Sequence, residues 1–163
     1  MFKIGESVIY PFHGGAKIVR LEEHIHAGEK KQFYVLEMLF GNTTVSVPVD
    51  RAEVLGLRQA IRDEDCVLIE QALCKPVDVK QVKAVSWNRR SQFYMEKLKS
   101  GDLADAAEVY KLLRLMENEK RISVGERRLL HVSEVILLSE LMLAKNINEQ
   151  TAVQWLNSKL VEA

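Results

Sequence analysis

The hydrophobic pattern changes period once, near residue 60, and that change limits the folds open to this chain. Before it, "SVIYP", "AKIVRLEEHI", "KQFYVLEMLF" and "TTVSVPV" are short runs rich in β-branched and aromatic residues, the composition of strands. Gly14-Gly15, Gly28-Glu29 and Gly41-Asn42 punctuate them as turns. In the last run Val45 and Val47 face one way and Thr44, Ser46 and Pro48 the other. Pro48 cannot donate to a ladder, so this strand is expected to be an edge or to end there. Four or five short strands in about 60 residues predict a small, strongly bent barrel.

After residue 62 the period is helical. "DEDCVLIEQALCKP" begins with acids and ends at Lys75-Pro76, the expected marks of a helix. A second helix is predicted from Ser86 as N-cap to Ser100-Gly101. Asp102 opens a third, with Leu103, Ala106, Ala107, Tyr110 and Leu113 at three- and four-residue spacing. "SVGE", Ser123 to Glu126, is a capping box, and the helix after it is expected to run to about Lys145. Its "VSEVILLSELMLA" stretch is apolar nearly all round, which marks a central buried helix. A last helix follows Asn148, with Val153, Leu156 and Leu160 on one side. The fold class is therefore α+β: a β module over 1–60, then an all-α helical bundle over 61–163.

No run of about 18 apolar residues is present to span a membrane, and "MFKIGESVIYPFHGG" lacks the apolar core of a signal peptide. A cytoplasmic protein is expected. Cys66 and Cys74 have no CxxC partner and read as reduced, buried small residues.

Charge sums to zero over 163 residues, which argues against a general nucleic-acid coat but not against a local patch. From Lys80 to Lys99 the cations Lys80, Lys83, Arg89, Arg90, Lys97 and Lys99 face a single acid, Glu96. Lys120-Arg121 and Arg127-Arg128 bracket the capping box. Arg89 and Arg90 fall in the first turn of their helix, where the dipole disfavours cations. They make sense there if a phosphate is the intended third party. Trp87, beside them, has two readings: a core residue with solvated neighbours, or an exposed ring for stacking on a base.

Other constellations point to no chemistry. His24 and His26 share a strand face but lack a third ligand, so no metal is expected. "HGG" at 13–15 reads as a tight turn, since no phosphate-binding motif follows. His131 is expected inside the bundle and Trp155 in the core. No nucleophile–base motif or paired-carboxylate pocket is evident, so the chain is read as no enzyme and without a cofactor.

Several stretches resemble one family in order and spacing. "FKIGESVIYPFHGGAKIV", "VPVDRAEVLGLR", "WNRR", "EKLKSGDLADAAEVYKLL" and "ISVGERRLL" resemble successive landmarks of the CarD/CdnL bacterial transcription regulators. The resemblance implies a Tudor-like (SH3-like) β-barrel that binds the RNA polymerase β subunit, a module also found in transcription-repair coupling factor. It implies a helical domain that contacts promoter DNA at the upstream edge of the transcription bubble, largely without sequence specificity. The family's minor-groove tryptophan wedge falls on Trp87, and its basic residues on Arg89, Arg90 and Arg127; Lys83 and Lys97 extend this candidate DNA-binding set. The candidate polymerase-binding set is the edge Thr43, Thr44, Val45, Ser46, Val47 and Pro48, with His24; His24 and Ser46 stand where some members carry contact arginines. A protein that is monomeric when bound to polymerase and stabilises the open promoter complex is the implied function. The alternative is a polymerase-binding adaptor whose helical domain takes another protein and not DNA.

Overall fold

The computed structural model describes residues 1–161. Four strands, β1 (Ser7–Tyr10), β2 (Gly14–His26), β3 (Glu29–Met38) and β4 (Thr44–Pro48), form an antiparallel meander in chain order. The sheet curls into a half-barrel of the Tudor-like type and leaves β1 and β4 as its edges. The bend has a local cause: the β2–β3 register shifts between Ile18 and Arg20, and an extra residue sharpens twist. Val8, Ala16, Ile18, Tyr34, Leu36 and Val47 fill the concave side with Ala52 and Leu57. Arg58 pairs back to Ile9 through two backbone hydrogen bonds, 2.6 and 3.1 Å, and so covers part of the β1 edge.

A 3-10 turn, Asp63–Cys66, leads into α1 (Val67–Cys74). The acids expected to open the first helix thus sit in that turn. The short α2 (Val79–Lys83) follows, capped by Asp78, which accepts from the amides of Lys80 and Gln81. Then come α3 (Trp87–Lys99), α4 (Leu103–Glu119), α5 (Val124–Lys145) and α6 (Glu149–Val161). The capping box is complete: Ser123 Oγ accepts from the Glu126 amide, and Glu126 Oε1 accepts from the Ser123 amide. Asn146, left-handed at φ 53°, ends α5. Leu129, Leu130, Ile136, Leu137, Leu138 and Leu141 bury α5 against α4 and its neighbours.

Two expectations are corrected here. His131 lies on the exposed side of α5, not inside the bundle. Cys74 is exposed, while Cys66 is buried and its thiol is pushed up by that burial. Trp155 is half-buried against the core, with Lys145 and Lys159 over its ring.

The two modules meet along α5. A β-carbon on Gly14 would stand 2.9 Å from Val135 Cγ1, and one on Gly15 would stand 3.1 Å from Ser139 Cβ. Only glycine lets the helix lie this close to β2, so the "HGG" turn serves packing. Across the same seam Glu140, fully buried, accepts from Arg58 Nη1 (2.9 Å), Arg58 Nη2 (3.1 Å) and the Ile61 amide (2.7 Å). Phe12 and Phe40 of the β module also pack against the helical core.

Candidate nucleic-acid and polymerase interfaces

Trp87 is the first residue of α3, and Ser86 before it adopts the extended conformation of an N-cap without a side-chain hydrogen bond. The indole is 39% exposed. It is neither core nor free. Its benzo edge lies on Gly125, in the first turn of α5: a β-carbon there would fall 2.8 Å from Cζ2 and 3.3 Å from Cη2. The Arg90 guanidinium, one turn along α3, stands 5.7 Å from the ring centroid. The N-termini of α3 and α5 therefore meet at one indole. That junction joins the cations around Arg89 to those around the capping box, which lie some 35 residues apart in sequence.

The predicted DNA-binding residues divide sharply by their surroundings. Arg89 is exposed, and among the described residues it has no ion pair or side-chain hydrogen bond. Arg127 is 57% exposed, with Glu117 Oε2 only at 3.7 Å. Arg90 is 16% exposed; Nη1 donates to the Val85 carbonyl (2.8 Å) and Nη2 faces buried Glu126 at 3.7 Å. Lys83 is paired with Glu119 at 2.9 Å. Lys97 lies between Glu108 (3.1 Å) and Asp105 (3.2 Å), which hold its ammonium above the ordinary lysine range. It also stands 5.5 Å from the Phe93 ring centroid. The cationic run is thus partly neutralised by acids from α4. Lys120, Arg121 and Arg128 are exposed cations near the α5 start that lie outside the candidate set. Beneath the cluster Tyr94 is buried, and that burial raises its phenol.

The corner has an unusual electrostatic feature. Arg90 Nε and Glu126 Oε2 are both buried without a hydrogen-bond partner. A shallow hollow beside them is lined by Trp87, Arg90, Ser123, Val124, Gly125 and Glu126.

On the β module, β4 pairs only with β3, from Glu37↔Thr44 to Phe33↔Pro48, so its outer edge is open. Thr43, Thr44 and Ser46 are exposed, and Val45 and Pro48 are half-buried. Val47 is 1% exposed and belongs to the β core. It can offer a partner its backbone, as strand pairing at this edge requires, but not its side chain. The register puts His24 on the same sheet face as Ser46 and Pro48. Its ring meets Phe33 edge-on at 5.3 Å and Glu22 at 3.0 Å. Arg20, then His24, hold the Glu22 carboxyl below its usual range. No group of three or more His, Cys, Asp or Glu side chains suited to a metal occurs among the described residues. No helix among them is long and apolar enough to cross a membrane.

A curled, open-edged β module packs along α5 of a helical domain that carries a half-exposed tryptophan among cations. Family comparison agrees module by module. The model for the CarD C-terminal domain matches residues 75–157, and the model for the CarD-like/TRCF RID domain matches residues 2–61. The chain belongs to the CarD family, whose business is transcription regulation. It is similar to the Bacillus subtilis (strain 168) protein named "Putative transcription factor YdeB", 29% identical over 150 residues, covering 92% of this chain and 96% of that one.

Proposed function

We propose that this protein docks on the RNA polymerase β subunit through its β module and stabilises the open promoter complex through Trp87. Docking is by strand addition at the open β4 edge, where Thr43, Thr44 and Ser46 are exposed. His24, on the same face, extends that surface. Tethering raises the effective concentration of the helical domain at the DNA, so a weak DNA contact suffices. Trp87 enters the minor groove at the upstream edge of the bubble and opposes its closure, while Arg89 and Arg127 hold flanking phosphates. Recognition is largely independent of sequence, because the groove is read by shape and charge. The protein acts in the cytoplasm as a monomer on polymerase, without catalysis or a cofactor.

The observation that supports this reading best is the indole itself: 39% exposed at the junction of two helix N-termini, with Arg89, unpaired among the described residues, beside it. A fully buried Trp87 would have favoured the adaptor alternative. A base–aromatic contact is worth about 1–3 kcal/mol, or roughly ten- to hundredfold in bubble lifetime. The test is co-purification with core polymerase, followed by open-complex lifetime with and without the protein. Binding to polymerase together with a longer lifetime supports the proposal; binding with an unchanged lifetime leaves the adaptor reading.

A further inference from the structure

We propose that Gly125 and Arg90 are positioning residues for Trp87: Gly125 is the seat on which the indole rests, and Arg90 is the brace that covers its face. This rests on the wedge reading and extends it, because it moves Arg90 from the DNA-contacting set to the protein's own scaffold.

Three observations carry it. First, the missing side chain of Gly125 is occupied by the tryptophan, since a β-carbon there would overlap Cζ2 at 2.8 Å. The backbone at Gly125 is helical, without the positive φ found at six other glycines. Helix geometry alone would therefore accept alanine, which is the better helix former; the ring is what requires glycine. Second, Arg90 is turned inward. It is 16% exposed, stands over the indole at 5.7 Å, and is held by the Val85 carbonyl at 2.8 Å. Third, Glu126, which faces Arg90 at 3.7 Å, closes the α5 capping box through its other oxygen. The brace is thereby linked to the helix that carries the seat. A planar guanidinium can stack and donate along its edge at once, which an ammonium cannot. A wedge must hold its angle to resist strand closure, and a side chain fixed on two sides loses less entropy when the groove closes on it.

The test uses full-length protein, polymerase holoenzyme and promoter DNA. Gly125→Ala is expected to match or exceed the wild-type melting temperature, bind polymerase normally, and lose about half or more of the lifetime gain that Trp87 confers. In a Trp155→Phe background, indole emission of the free Gly125→Ala protein is expected to shift as the ring leaves its seat. Arg90→Lys keeps the charge, so a phosphate contact would survive it. The brace predicts instead a shortened lifetime with an unchanged salt dependence. Wild-type lifetime in both variants, or unshifted emission in Gly125→Ala, would overturn the proposal. So would a melting-temperature loss in Gly125→Ala as large as a core truncation, because the indole would then be core. If Trp87→Ala itself leaves the lifetime unchanged, the wedge reading fails; the emission shift still decides whether Gly125 is the seat.

Discussion

Two arginine–glutamate pairs in this molecule, each with a buried carboxylate, are finished differently. At the seam between the modules, Glu140 accepts three hydrogen bonds, two from the Arg58 fork and one from the Ile61 amide. At the α3–α5 corner, Arg90 and Glu126 approach only to 3.7 Å and leave Arg90 Nε and Glu126 Oε2 without partners. The first is geometrically complete, and completeness is what makes a buried pair tolerable. The second is loose, and an unfinished buried polar cluster is costly unless it serves something else. The contrast shows where the modules are tied and where a side chain is left presented. The seam joins the β module to α5 by three hydrogen bonds; the corner presents a half-exposed aromatic ring.

That difference can be broken experimentally. Glu140→Ala should have the largest effect, since it strands the Ile61 amide and a guanidinium that is only partly open to solvent, Arg58 being 34% exposed. A loss of about 2–3 kcal/mol in urea unfolding is expected, and a loss below about 1 kcal/mol would mean that these hydrogen bonds do not stabilise the seam. Glu126→Gln should cost far less, about 1 kcal/mol, because the amide oxygen can still close the capping box. A cost equal to that of Glu140→Ala would erase the distinction drawn between the two pairs. Arg89→Ala should leave the melting curve unmoved. Its signature lies in DNA binding, where losing one phosphate contact lowers the log–log salt slope by about 0.9. An unchanged slope would assign that contact to another cation, with exposed Arg127 or Arg128 next in line.

Local signals were legible in the sequence; the meetings between distant segments were not. The "SVGE" capping box formed both of its hydrogen bonds, because cap chemistry is decided within four residues. Asp102 caps α4 for the same reason, accepting from the Ala104 amide, while Ser86 bounds α3 by its extended backbone alone and Ser100-Gly101 ends it. The five-residue α2 escaped notice: it is too short to show a helical period, and Asp78 is its one strong signal. His131 was misplaced because an apolar helix still has one wet side, and composition does not say which. At the candidate site the sequence singled out Trp87 and its cations but treated the cations alike. Their difference comes from partners far along the chain, such as Glu119 for Lys83 and Asp105 and Glu108 for Lys97. The sequence left Trp87 between a core residue and an exposed ring. Gly125, a residue with no side chain to notice, turned out to lie against it.

The central claim is that Trp87 is a surface tool and not a core residue. The direct measurement is the lifetime of the open promoter complex formed by polymerase bound to Trp87→Ala, read beside a thermal melt of the same variant. The account predicts a melting temperature near wild type, retained polymerase binding, and a lifetime shortened roughly ten- to hundredfold toward that without the protein. A stability loss of about 3–5 kcal/mol, as for an aromatic truncated in a core, or a wild-type lifetime in the folded, polymerase-bound variant, would contradict it.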